Sequence, residues 1–235
     1  MNQNRFTLWY FAVSLIFIIL ENLHFVLPSL FFKALIIPSL MVFYHFSIRG
    51  KYDFFHRLMM AGLFFSWLGD IILQLADTDF AIKNSIDFLF IGGLASFLIT
   101  QLIYMIAFSL PKGKNIVFTT RAYQVILVIL YGAVMLYFLY RSLGDMRVPV
   151  IAYTVIILLM LLSALNRYGK VNGLSYILVV IGAMLFVISD SLIAVNKFHM
   201  KINFAGVMIM ITYVTAQYLI VLGCIRQNIL SAKNE

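Results

Sequence analysis

The stretch RLMMAGLFFSWLGDIILQLA, residues 57–76, decides how this chain is read. Its length and apolarity suit a helix across hydrocarbon, yet Asp70 stands deep inside it. A second stretch, LSYILVVIGAMLFVISDSLIAV at residues 174–195, repeats the arrangement around Asp190. A carboxylate at such depth is costly, so it usually faces the protein interior, finds a partner and has a function. Each acid also follows a glycine by eight residues: Gly62 before Asp70, and Gly182 before Asp190.

The rest of the chain supplies the setting for these two segments. Of its 235 residues, 63% are hydrophobic and only 11% charged, and the mean hydropathy is +1.01. A soluble domain carries about 25% charged residues, so a water-soluble fold would lack the polar surface to cover itself. Eight stretches approach or exceed the length of a membrane-crossing helix, at 6–23, 30–48, 57–76, 86–108, 122–140, 148–166, 174–195 and 204–225. The expected fold is all-α: a polytopic membrane bundle of eight transmembrane helices in a single domain over 1–235. A membrane barrel would instead show short alternating segments. Only Arg5 precedes the first stretch, and Glu21, Asn22 and His24 follow it without a small-residue cleavage site, which predicts a retained helix and no signal peptide. Cys224 is the single cysteine, excluding an internal disulfide. The +8 net charge is divided among short loops, so it forms no nucleic-acid surface.

Loop charge sets the expected orientation. With eight spans both termini share a side, and Arg5, Arg49, Lys51, Arg57, Lys112, Lys114, Arg121, Arg167, Lys170, Arg226 and Lys233 fall there. Lys83, Arg141, Arg147, Lys197 and Lys201 fall on the other side. The positive-inside rule then makes both termini cytoplasmic, in a bacterial inner membrane. Asp70 lies about 20 Å along its helix from Arg57, and Asp190 about 24 Å beyond Leu174, at 1.5 Å per residue. Both acids are therefore expected in the outward half of the membrane. Lys33, Glu21, His24 and Asp87 converge on the same end, as at a cavity mouth. The shared direction and glycine-to-acid spacing also suit a parallel duplication of 1–121 and 122–235.

Two carboxyls that approach each other repel as like charges, which leaves one neutral acid beside one carboxylate. Such a pair offers a proton donor and a proton acceptor at one pH. The plainer reading is a pair of packing or ion-pair acids, with Lys33 as counter-charge. Ser66, four residues before Asp70, and Ser189 and Ser191, beside Asp190, can orient a carboxylate or water, or bond to their own helix backbone. Lys33 can receive a headgroup phosphate or snorkel to the interface. Gln101, Gln217, Tyr104, Tyr213 and Tyr218 can contact substrate or join helices. His24, His45, His56 and His199 lack zinc-ligand spacing, and no phosphate-binding or dinucleotide loop is present. No metal and no cofactor are expected.

Several segments together resemble the YhhN/TMEM86 family of membrane proteins: FFKALIIPSL with Lys33, AGLFFSWLGDIIL with Asp70, FLFIGGLASFLITQLIYMIAF, IGAMLFVISDSLIAVNKF with Asp190, and MITYVTAQYLIVLG. The chain departs from the family pattern at Gln101, where a histidine is common. Characterised members are lysoplasmalogenases, so the resemblance implies hydrolysis of a lysoplasmalogen's vinyl ether bond without a cofactor. The implied partner is a lysophospholipid with one alkenyl chain, held among membrane lipids. The implied site comprises Asp70 and Asp190 as the catalytic pair, with Lys33, Ser66, Tyr104, Ser189, Tyr213 and Gln217 around the substrate. An intramembrane aspartyl protease and a proton-coupled transporter also use acids at membrane depth. WLGD and VISD, however, do not reproduce the GxGD-type pattern of those proteases. No oligomeric state follows from the sequence.

Overall fold

A computed structural model describes residues 3–48, 52–76, 78, 87–112 and 116–231. Arg49, Lys51, Lys83, Lys114 and Lys233 of the charge distribution lie outside the described residues. Every described element is a helix, and eight helices are long and apolar enough to cross a membrane. They are α1 (Gln3–Asn22), α2 (Val26–Ser47), α3 (Phe54–Ala76), α4 (Asp87–Ser109), α6 (Ala122–Leu139), α7 (Arg147–Leu165), α8 (Gly173–Ala194) and α9 (Ala205–Ser231). Between α4 and α6, in a stretch expected as loop, lies the short α5 (Ile116–Thr119). The eight expected spans are all present, with shifted ends. α2 begins earlier and takes Pro28 into its first turn, where a missing N–H costs no intrahelical bond.

The chain divides into two compact units, Met1–Tyr104 and Met105–Glu235. In the first, α1 packs on α2 and α2 on α3. α1 closes with the N–H of His24 donating to the Glu21 carbonyl and that of Phe25 to the Leu20 carbonyl. That ending needs a left-handed residue, and His24 takes it at φ 60°. α3 starts on Asp53, whose side chain accepts from the N–H of His56 at 2.8 Å. Pro38, inside α2, has no N–H to offer the carbonyl of Ala34. The indole Nε1–H of Trp67 on α3 donates to that carbonyl instead, at 3.1 Å. A break in one helix ladder thus becomes a tie to its neighbour.

α3 and α4 run antiparallel at close approach. Gly62 lies against the Tyr104 ring, Gly69 against Phe97, and Gly93 against Leu73. Hydroxyls on α4 add two ties, from Ser96 to the Phe65 carbonyl at 2.6 Å and from Thr100 to the Gly62 carbonyl at 3.3 Å.

In the second unit, α8 and α9 form the most extensive helix pair, and α7 packs on α8. A Cβ on Gly182 would meet the Ala216 carbonyl oxygen at 2.8 Å, and one on Gly223 would meet the Ser175 carbonyl oxygen at 3.1 Å. Between apolar helices in lipid, association rests on such close packing. Arg167, fully buried just after α7, donates from Nη2 to Ser175 Oγ at 3.0 Å and to Gln227 Oε1 at 2.8 Å. α6 is the most outward-facing span, with Ile126, Leu127, Ile129 and Leu130 exposed as suits contact with acyl chains.

The obstacle at Gly182 is backbone, which cannot rotate aside. Gly182→Val should therefore lower stability by about 1–3 kcal/mol. Gly206→Ala, where nothing lies within 4 Å of the added carbon, should be near neutral. Thermal denaturation of both variants in detergent checks the contrast.

Candidate functional site

α3 buries one stripe made of Met59, Gly62, Leu63, Ser66, Gly69, Asp70 and Gln74. These positions recur every three or four residues, so helical periodicity alone carries Asp70 inward. Asp70 is 4% exposed and Ser66 fully buried. One turn beyond Asp70 on this stripe is Gln74, a functional candidate that the apolar pattern does not mark. Its Oε1 accepts from Lys33 Nζ at 2.8 Å, and its Nε2 donates to Glu21 Oε2 at 2.9 Å. The Lys33 ammonium also lies over the Phe17 ring, 5.4 Å from its centroid. α1, α2 and α3 are thereby joined by a cation, an amide and an anion. The Gln74 amide links the opposite charges of Lys33 and Glu21, which do not pair directly. Lys33 has three donors and spends one here, so the ammonium keeps capacity for an anionic ligand. The signal available beforehand was the i, i+4 spacing of Asp70 and Gln74.

Tyr104 is fully buried and fills the space left by Gly62. Asp70, Ser66, Tyr104 and Lys33 therefore belong to one unit, with Lys33 about one helical turn from the level of Asp70.

The second unit holds the other candidates. Asp190 is half-buried on α8, and the Tyr153 hydroxyl of α7 donates to its Oδ2 at 2.5 Å. Tyr153 was not singled out in the sequence. It lies on another helix at 37 positions' remove, and no periodicity on α8 points to it. The serines beside Asp190 face in different directions. Ser189 donates to the Ile209 carbonyl of α9 at 3.1 Å, while Ser191 donates to the Val187 carbonyl at 2.7 Å and bonds the Tyr131 hydroxyl at 2.6 Å. Tyr213 on α9 stands edge-on to Phe186 of α8, with centroids 5.6 Å apart. Gln217, one turn on, is fully buried. An open groove of about 400 Å³ along α6 and α7, lined by Tyr137, Tyr140 and Arg141 among others, includes none of the candidate residues. Among the described residues, no cluster of three or more His, Cys, Asp or Glu side chains could hold a metal ion.

Chemically, the two aspartates differ in surroundings. Asp70 is buried on the inward stripe of α3, one turn from Ser66 and from Gln74. Asp190 is half-buried and receives a phenolic hydrogen bond from another helix. Tyr153→Phe should take this donor from Asp190 and cost about 1–3 kcal/mol. Asp190→Asn should cost less, because an amide oxygen still accepts from the phenol. Melting midpoints of the two variants in detergent rank them.

Comparison with known proteins gives these residues a family. The human lysoplasmalogenase TMEM86B is 30% identical over 138 residues, 58% of this chain and 54% of that protein. The bovine lysoplasmalogenase TMEM86A is 30% identical over 172 residues, 71% of this chain and 65% of that protein. The chain thus spans between about half and two thirds of the length of these curated relatives. No solved structure gives a significant match. The YhhN family model matches residues 29–224, from the start of α2 almost to the end of α9, taking in Lys33, Asp70 and Asp190. This integral membrane protein, with its acids at helical depth and its eight apolar spans, belongs to the YhhN family.

Proposed function

We propose that this chain hydrolyses the vinyl ether bond of a lysoplasmalogen, releasing a fatty aldehyde and the glycerophospho-headgroup. The observation that carries the reading is the 30% identity to two lysoplasmalogenases in a chain with two membrane-helix aspartates. The chemistry needs one proton donor, one acceptor and water, with no change of oxidation state overall.

Asp70 and Asp190 supply the donor and acceptor. The protonated acid gives its proton to the outer alkenyl carbon, and the ether carbon becomes an oxocarbenium centre. The carboxylate stabilises that charge and takes a proton from the attacking water, forming a hemiacetal. Collapse breaks the carbon–oxygen bond, forms the aldehyde carbonyl and returns the hydroxyl proton to the departing glycerol oxygen. Proton transfer from the second acid back to the first completes the cycle. The donor and acceptor roles are proposed for the pair as a whole.

Lys33 is the headgroup residue of this reading, placing a cation for the phosphate on the α2 side of the Asp70 level. Ser66, Tyr104, Ser189, Tyr213 and Gln217 complete the surroundings of the substrate. Both termini face the cytoplasm in this arrangement, in accord with the loop charges.

Purified protein assayed on defined lysoplasmalogens, with aldehyde and glycerophospho-headgroup identified by mass, tests the reaction. Asp70→Asn and Asp190→Asn should each lower kcat by at least about 10²-fold while retaining the folded helix content. Near-normal turnover in both single variants would overturn the acid–base assignment. Lys33→Ala should raise KM more than it lowers kcat, with partial recovery in Lys33→Arg. An unchanged KM would remove Lys33 from the headgroup role.

A further inference from the structure

Gln101 on α4 is fully buried, and among the described residues neither its Oε1 nor its Nε2 has a hydrogen-bond partner. A buried amide with both ends unanswered is costly in any protein, and the cost calls for a reason in how the molecule works. The other polar side chains of α4 that face α3 are satisfied: Ser96 by the Phe65 carbonyl and Thr100 by the Gly62 carbonyl.

Its height in the bundle follows from the antiparallel register of α3 and α4. Tyr104 meets Gly62 and Phe97 meets Gly69. Gln101 lies between Phe97 and Tyr104, hence at about the level of Ser66. Asp70 is four residues further along α3, about 6 Å at 1.5 Å per residue.

We infer that Gln101 is a specificity residue that hydrogen-bonds the free sn-2 hydroxyl of the lyso substrate. The inference rests on the hydrolase reading above. Complementarity of donors and acceptors carries it. A carboxamide presents an acceptor and two donors. A phosphate only accepts, and so does a vinyl ether oxygen, so either would leave Oε1 unanswered. A hydroxyl donates and accepts, and can answer both ends of the amide. The sn-2 carbon is bonded to the sn-1 carbon that carries the vinyl ether oxygen. Anchoring the hydroxyl at the Gln101 level therefore leaves the scissile group within one helical turn of the Asp70 level. A lipid acylated at sn-2 offers only ester acceptors there, and the unanswered Oε1 discriminates against it. Sites built to bond a substrate hydroxyl reject analogues that lack it far more strongly than apolar pockets reject a missing methylene.

The test compares wild type with Gln101→Met on two synthetic 1-alkenyl glycerophospholipids of the same headgroup and chain, one with the sn-2 hydroxyl and one with hydrogen in its place. In wild type, loss of the hydroxyl should lower kcat/KM about 10- to 100-fold, the size of one unsatisfied buried polar group. Gln101→Met should lower kcat/KM for the hydroxy substrate to a similar degree, with little further loss on the deoxy analogue. Because the amide has no partner within the described protein, the same variant should keep or raise the melting midpoint without substrate.

Equal losses on both substrates would overturn the inference, as would no loss on either. So would a variant that unfolds, since that would make the amide structural. Wild-type protein inactive on every vinyl ether would overturn the hydrolase reading, and this inference with it. Wild-type activity with additive losses would overturn only the role of Gln101.

Discussion

Water is not at hand to answer a polar group in hydrocarbon, so each one must be answered from within the protein. That requirement organises both units of this molecule. Pro38 frees the Ala34 carbonyl, and the Trp67 indole on the next helix takes it up. Lys33 and Glu21 carry opposite charges on neighbouring helices, and Gln74 bridges them with both ends of one amide. Arg167 is buried with Ser175 and Gln227 as acceptors. Many remaining hydroxyls turn back on their own helix, as Ser14 does on the Tyr10 carbonyl. Each bond satisfies a polar atom, and several also fix the rotation of one helix about another.

Close approach of backbones is the second element, and it explains why each acid has a glycine two turns earlier. Gly62 admits the Tyr104 ring, and Gly182 admits the backbone of α9 at Ala216. These contacts hold the helix that bears each acid at a set depth and rotation. A proton-transfer group must be held to within a fraction of an ångström of its target to be effective. In the proposed reaction, the glycines would serve the aspartates by fixing their frames. The two cases differ in kind: one glycine receives a side chain, the other a neighbouring main chain.

Against this background of satisfied groups, Gln101 stands apart. Asp70 is buried on the inward stripe of α3. Asp190 has a tyrosine to share its charge. Gln101 is held without an answering group in the described protein. In the proposed reaction, an unanswered amide of this kind is a group the protein can offer to its substrate.

Much of this was legible in the residues alone. Eight apolar runs of spanning length can hide their backbone polarity from lipid only as helices, so class and element count followed from composition and length. Asp70 stood out because an acid in an apolar run violates that pattern, and its four-residue spacing from Ser66 put the two on one helix face. Tyr153, Gln74 and the Trp67–Ala34 bond did not stand out. Tyrosine, glutamine and tryptophan are ordinary in membrane helices, and their roles depend on which side chain of another helix lies opposite. Periodicity reports which face of a helix turns inward, whereas the neighbour across that face is set by helix pairing and register. Chain composition by itself determined that this protein is a helical membrane bundle with acids at depth. Tertiary packing alone decided which groups meet them, because partners such as Tyr153 and Asp190 are distant in sequence and adjacent only once the helices have docked.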